Sequence, residues 1–316
     1  MKAYLVRRLV YLLPVWLGVS LLAFGLGRLA PGDPARDVLA RTTGRQPTER
    51  EVVAERHRLG LDRALPVQYL SWLGGAVRAD LGTSYTTGEP VSQAIGRTLP
   101  ATLELAGAAF LLAVAVGLLL GLLAAAKSWT WVDHLIRAAA LLGASIPAFW
   151  LGYLLILAFA VSTHLLPAFG PGGPSHLVLP ACTLALFDLA MLARLTRAAM
   201  LETLGEDYVR TARAKGLRER QTLIRHALRA ALVPLVTWTG MSFGFLFGYS
   251  VVVETVFAWP GLGYATVLAV QARDYPFLQA FVLLMGTLFV LLNLGVDVAY
   301  TWVDPRLRFG RALAAG

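Results

Sequence analysis

The sequence predicts an all-α polytopic membrane protein, and three observations carry that prediction. Hydrophobic residues fill 57% of the 316 positions and charged residues only 15%, where a soluble domain carries about 25%. Six stretches are long and apolar enough to cross roughly 30 Å of hydrocarbon as helices. The cationic residues of the short connections and termini lie almost entirely on one side. Together these exclude a disordered chain and argue against a soluble enzyme. The single cysteine, Cys182, excludes an intrachain disulfide and any cysteine-based zinc or iron–sulfur site. A net charge of +9 would suit a nucleic-acid partner, but the placement of the charges points to a membrane instead.

The six stretches are Leu9–Leu29, Leu99–Ala126, Ala138–Thr163, Leu177–Met200, Ala231–Phe257 and Phe277–Val303. Lys2, Arg7 and Arg8 precede the first, as they would in a secretory signal. Its apolar run reaches Gly27, however, beyond the roughly 7–15 residues of a signal core, and no small-x-small cleavage site follows. It is expected to stay as an anchor. With the N-terminus inside, the inner segments 1–8, 127–137, 200–230 and 304–316 carry three, two, seven and three Lys/Arg. The short outer loops 164–176 and 258–276 carry one, Arg273. That bias predicts both termini in the cytoplasm.

The segment 31–97 holds nine Arg and eight Asp/Glu, but a loop of 67 residues crosses largely regardless of charge, so it is expected outside. It reads as ordered. Pro47–Leu61 predicts a helix starting near Thr48, with Glu51 at capping-box spacing and Gly60 close to its end. A second helix is predicted over Val67–Val77, with Val67, Leu70, Leu73 and Val77 on one face. The expected organisation is an N-terminal transmembrane helix (1–30), this extracytoplasmic segment (31–97), a five-helix membrane domain (98–303) and a cytoplasmic tail (304–316).

Polar groups inside spans are expensive, so each is a candidate site. Asp188 sits near the middle of the fourth span, where it would either line a solute path or bond a neighbouring helix. Asn293, Asp297 and Thr301 form one polar stripe on the sixth span, suited to interhelical hydrogen bonds or to a binding surface. Glu104 and Glu254 lie near outer ends and are expected to be partly solvated. Gly240, Gly244 and Gly248 recur every four residues along the fifth span, which fits either close helix packing or the smooth wall of a moving pore.

Enzymatic signals are poor. His57, His134, His164, His176 and His226 are scattered, and none forms an HExxH-type ligand pair. The stretch Gly121 to Ser128 comes near a phosphate loop, but Ala126 stands where the second glycine is required, and the stretch ends a membrane helix. No Gly-x-Ser-x-Gly occurs. If this chain drives work, its energy source is expected on another chain or in an ion gradient. In the inner loop 200–230, Thr203 and Glu206 have capping-box spacing, Arg213 and Lys215 close a short helix, and Gly216 supplies a left-handed stop. A second helical stretch, Glu219–Leu232, runs on to Pro234. Capping at both ends suggests a rigid element presented to a partner.

A set of segments along nearly the whole chain carries a resemblance. They are Ala30-Pro-Gly-Asp-Pro34, Leu59-Gly-Leu-Asp62, Val67-Gln-Tyr-Leu70 with Trp72, Asp80-Leu-Gly-Thr-Ser84 and Leu99-Pro-Ala-Thr-Leu103. They continue with Tyr208-Val-Arg-Thr-Ala-Arg-Ala-Lys-Gly216, Arg225-His-Ala-Leu228 and Phe257-Ala-Trp-Pro-Gly-Leu-Gly263. Arg273-Asp-Tyr-Pro276, Asn293 with Asp297, and Asp304-Pro-Arg306 close the set. Together they resemble the first permease subunit of dipeptide, oligopeptide and nickel ABC importers, in the binding-protein-dependent transport family.

The resemblance implies a type I ABC importer fold in a bacterial or archaeal cytoplasmic membrane. It implies as partners a homologous second permease, two ABC ATPases and an extracytoplasmic solute-binding protein, with membrane lipid around the helices and no nucleic acid. ATP and Mg would bind on the ATPases, leaving no cofactor and no metal in this chain. The importer signature in the cytoplasmic loop is Glu-Ala-Ala, three residues, Gly, nine residues, Ile-x-Leu-Pro. Here Gly216 and Leu228 match, Arg210-Thr211-Ala212 stand for Glu-Ala-Ala, and His226 and Arg229 replace Ile and Pro. Arg210, Thr211, Ala212, Lys215, Gly216 and Leu228 are thus the implied ATPase-coupling residues, and a peptide is the implied solute. Nickel is disfavoured by the absence of a His or Met cluster. The competing readings are an ion-coupled secondary transporter, for which Asp188 is the one central acid, and a membrane-embedded hydrolase, for which no nucleophile–base pair is found.

Overall fold

The computed structural model describes residues 13–25, 33–218 and 221–303. The described residues are helical throughout, apart from loops and one isolated bridge between Thr83 and Pro90. The elements are α1 (Leu13–Gly25), α2 (Pro34–Thr43), α3 (Glu49–Arg58), α4 (Leu65–Val77), α5 (Val91–Ala126) and α6 (Trp131–Ser145). They continue with α7 (Ala148–Leu155), α8 (Pro174–Leu204), α9 (Asp207–Ala214), α10 (Leu228–Val256), α11 (Leu262–Gln271) and α12 (Tyr275–Val303). Two π-helical stretches, Ile156–Ser162 and Thr222–Ala227, follow α7 and precede α10.

Four of these, α5, α8, α10 and the Tyr275–Gly295 part of α12, are long and apolar enough to cross a membrane. The third predicted span, Ala138–Thr163, is corrected. It is not one helix but the pair α6 and α7–π, bent by 105°. Pro147 has no N–H to donate and bars its predecessor from the helical region, and Ile146 is accordingly extended at φ −80°, ψ 124°. Of the first predicted span, α1 is the described part. Segments 1–8 and 304–316 lie outside the described residues.

Contacts divide the chain into two units, residues 1–100 with 261–290, and residues 101–260 with 291–316. In the first unit, α3 begins at a capping box: the Thr48 N–H and hydroxyl both donate to Glu51 Oε2, at 2.8 and 2.9 Å. The Arg45 guanidinium and these donors hold the Glu51 carboxyl down to about 2. The helix ends with Gly60 at φ +66°, its N–H on His57 O (3.1 Å) and the Leu61 N–H on Arg56 O (2.8 Å), a Schellman closure. An additional helix, α2, is capped by Asp33 with Pro34 in its first turn, and Arg56 binds the same Asp33 carboxylate at 2.8 Å. Two of the segments quoted above meet at Asp274, which is 2% exposed. Its carboxylate accepts from the Ser84 hydroxyl and from the Tyr85 N–H at 3.0 Å, while Val91, Ala94, Ile95, Leu262, Phe277 and Ala280 form the apolar core nearby.

In the second unit, α8 packs against α6, α7 and α10. Gly117 and Gly121 let α5 approach α8 so closely that a Cβ at 121 would sit 2.6 Å from the Ala193 carbonyl oxygen. Glu254 is corrected from partly solvated to fully buried; its carboxylate accepts the Thr102 hydroxyl at 2.7 Å. Nearby Phe257 and Trp259 are buried, and the Trp259 indole donates to Ala101 O at 2.8 Å.

Candidate functional site

The loop after α8 forms the most structured candidate. Thr203 does not cap a new helix, as its spacing to Glu206 predicts. α8 continues through Leu204, so Thr203 lies inside it, buried, with its hydroxyl bonded back to Ala199 O at 2.8 Å. The chain then turns at Gly205, Glu206 takes the extended N-cap position without a side-chain bond, and α9 starts at Asp207. Acidic Asp207 in the first turn and Arg213 in the last suit the helix dipole.

At the other end Gly216 has φ +78°, its N–H bonds Arg213 O at 2.9 Å, and the Leu217 N–H reaches Ala212 O at 3.4 Å. Residues with a Cβ resist that left-handed conformation, which glycine adopts without strain. The C-terminal end of the eight-residue helix is therefore fixed by its own chain, while the N-terminal end carries no side-chain cap.

α9 has two faces. Val209 and Ala212, three apart, are buried against the chain at 0% and 6% exposure. Ala212 thus anchors the helix and does not stand on its outer surface, a position the three-letter motif alone could not assign. Tyr208, Arg210, Thr211, Arg213, Lys215, Gly216 and Leu217 are exposed. Under the loop, Ala125, Ala199, Met200, Ala227 and Ala231 form a buried cluster with Leu204, Leu223 and Leu228 packed on it. Leu228 belongs to this base and is half-buried. The second helical stretch, predicted over Glu219–Leu232, is helical from 221 onward, with a π turn at Thr222–Ala227 that passes straight into α10; the helix then continues through Pro234, and residues 219 and 220 lie outside the described residues.

The membrane candidates are not brought to this loop. Asp188, 7% exposed on α8, makes no hydrogen bond or ion pair among the described residues. On α10, Gly240 and Gly244 are half-buried, whereas Gly248 is exposed and a Cβ there would meet nothing within 4 Å. Among the described residues, Gly248 has no closely packed neighbour. Asn293 is half-buried with a partner of its own, and the side chains of Asp297 and Thr301 lie outside the described residues. Glu104 is exposed. Among the described residues no group of three or more His, Cys, Asp or Glu could hold a metal ion. Gly121, the start of the near phosphate loop, is a packing residue facing α8.

Sequence reasoning missed the tie between α6 and α8. Arg197 Nε and Nη2 donate to the two oxygens of Asp133 at 2.6 and 2.7 Å, with Asp133 fully buried. One acid in a short inner segment and one arginine near the end of the fourth span were its only signal.

Comparison with known proteins adds three findings. Residues 117–309 match the family described as binding-protein-dependent transport system inner membrane component, and residues 1–106 match the N-terminal part of such membrane components. A di/tripeptide transport system permease protein of Pseudomonas aeruginosa (strain UCBPP-PA14) is 41% identical over 340 residues, covering 98% of this chain and 100% of its own length. A glutathione transport system permease protein of Escherichia coli O6:H1 is also 41% identical, over 309 residues with the same coverage. In fold, the chain resembles one of the MetNI methionine ABC transporter solved in inward-facing conformations. The TM-score is 0.58 over 68% of this chain and 99% of that one, at 23% identity.

Proposed function

We infer the function from the family to which this chain belongs, the binding-protein-dependent transport system inner membrane components: it is a membrane-spanning permease subunit of an ABC importer. It forms, with a homologous second permease, the path for di- or oligopeptides that an extracytoplasmic binding protein delivers. Relatives over 40% identical along nearly their whole lengths carry peptide and glutathione permease names, which supports a peptide as the solute. The N- and C-termini face the cytoplasm of a bacterial cell, and two ABC ATPases hydrolyse ATP there. An ion-coupled secondary transporter is not favoured.

The observation that carries the mechanism is the divided surface of α9. Val209 and Ala212 fasten it to its own chain, and its outer face is left exposed. That outer face docks on an ATPase. When ATP binding moves the ATPase, the push passes through α9 and the buried Met200–Ala227–Ala231 base into α8 and α10. These helices then open the path to one side of the membrane or the other. The chain itself performs no covalent chemistry.

The test is Gly216→Val beside Arg210→Glu. A Cβ at 216 points into open space, so the cost is conformational, about 1–2 kcal/mol, and confined to the loop. Arg210→Glu reverses an exposed charge without touching the core. Both variants should reach the membrane in normal amount, lose peptide uptake, and either shed the ATPase or leave its hydrolysis unresponsive to loaded binding protein. Normal transport by both would remove α9 from the coupling route. Uptake that persists without any ATPase and collapses with an ionophore would install the ion-coupled reading.

A further inference from the structure

α6 and α8 are joined by the Asp133–Arg197 pair, and a third donor, the Trp129 N–H at 3.0 Å, also uses the Asp133 carboxylate. Beside that joint, residues of both helices line a cavity of about 660 Å³. Its wall has two chemistries. Arg137, Arg194 and His134 supply cationic or donor groups, and all three are exposed. Neither Arg137 nor Arg194 has a hydrogen bond or ion pair among the described residues. Asp133 is the acid next to them, and Arg197 already binds both its oxygens. The rest of the wall is aliphatic, with Leu141, Met191 and Leu195.

Position completes the picture. Trp129 and Trp131, 76% and 75% exposed, stand at the start of α6. Amphipathic aromatic rings of this kind concentrate at the boundary between water and hydrocarbon. The cavity therefore opens beside that boundary, with two guanidiniums that make no hydrogen bond or ion pair among the described residues and an apolar wall within one space. A free inorganic anion would satisfy the guanidiniums and leave the aliphatic wall uncovered; a neutral lipid would do the reverse. Guanidinium forks match phosphate oxygens in geometry as well as charge, and basic pockets between membrane helices suit anionic headgroups.

We propose that the cavity between α6 and α8 binds an anionic phospholipid, with the headgroup phosphate held by Arg137 and Arg194 and the upper acyl chain laid along Leu141, Met191 and Leu195. The site rests on the membrane-spanning reading of these helices. The orientation given above places it in the cytoplasmic leaflet, on the helix that carries α9.

The test uses the importer complex with its partner subunits, stripped of lipid in mild detergent and titrated with phosphatidylglycerol, phosphatidylcholine or inorganic phosphate. Wild-type complex should bind phosphatidylglycerol well over phosphatidylcholine, and millimolar phosphate should not displace it. Arg137→Gln with Arg194→Gln should weaken binding about 25-fold, fivefold for each guanidinium. Arg78→Gln, an exposed site on another unit, should leave it unchanged. If the double glutamine variant is lost in folding, Arg137→Lys with Arg194→Lys keeps the charge and should bind at an intermediate level. Equal binding of the two lipids, full displacement by phosphate, or wild-type affinity in either double variant overturns the proposal. Binding is read here without ATP hydrolysis or uptake, so a negative result leaves the importer function standing. A misassigned orientation would move the lipid to the other leaflet and leave the titration as it is.

Discussion

Two helices of the same unit carry glycine at four-residue spacing and use it differently. On α5, Gly117 and Gly121 face α8 at van der Waals limits; a Cβ at 117 would stand 3.0 Å from the Leu189 carbonyl oxygen and from Leu192 Cβ. On α10, the last glycine of the stripe, Gly248, faces open space, and Gly240 and Gly244 are only half-buried. Spacing alone announces a smooth helix face without naming its neighbour. In a membrane, where lipid tails are as apolar as leucine, helices associate through close packing. A smooth face filled within the chain is therefore part of its architecture. One left open is available to a second chain or to the translocation path.

The sharpest way to break that contrast is Gly121→Leu. The nearest obstacles are the Ala193 carbonyl and the Thr196 side chain, and backbone cannot yield as a flexible side chain can. Overpacking of this kind costs about 1–3 kcal/mol and more when backbone must move. The variant should be recovered from membranes at a small fraction of wild-type abundance and melt well below it in detergent. Gly121→Ala, which adds the one clashing carbon, should fall between. Wild-type melting of Gly121→Ala would mean that α5 and α8 are not held at this distance.

A second contact of α8 sharpens the comparison, since it holds the helix by charge where α5 holds it by shape. Asp133→Asn should leave Arg197, with its side chain 16% exposed, short of a counter-charge. Removing one partner of such a pair costs about 2 kcal/mol. The melting midpoint should drop by less than in Gly121→Leu, and Asp133→Asn with Arg197→Met should recover part of the loss. A double variant less stable than the single would show that the pair contributes through other contacts.

These residues also mark what could be read beforehand. Features set by neighbours in sequence were legible: the long apolar runs, the capping box of Thr48 and Glu51, the left-handed ends at Gly60 and Gly216. Features set by distant partners were not. Glu254 looked solvated because Thr102, which buries and satisfies it, lies 152 positions away. Asp133 and Arg197 are 64 apart, and nothing local pairs them. Thr203 had the right spacing for a cap, but packing of Ala199 and Met200 into the base of the loop extends α8 past it. The break at Ile146 was available in principle, since Pro147 excludes helical geometry from its predecessor, yet the unbroken hydropathy masked it. Likewise Asp33-Pro34 held the signature of a helix start, with Gly44 at φ +66° as its end. The candidate coupling loop was placed by motif; which of its residues point inward required the phase of α9, where Val209 and Ala212 take the buried side.

The smallest expected effect on the chain itself is at the open end of the other stripe, and there the contrast is tested most directly. Gly248→Leu introduces a side chain on an exposed face of α10, where its first carbon meets no described atom within 4 Å. Leucine is also the better helix former by about 0.8 kcal/mol or slightly less. Abundance in the membrane and detergent melting of the isolated permease should therefore equal or slightly exceed wild type, the reverse of Gly121→Leu. If the face is kept smooth for the second permease or for the moving path, the cost appears only in the assembly. The assembled importer should then either lose its second permease on purification or transport peptide slowly with ATPase activity uncoupled. Destabilisation of the isolated chain would show that α10 has a neighbour at Gly248 within its own fold. Full stability together with wild-type uptake would assign that face to lipid and leave the stripe with no role in transport.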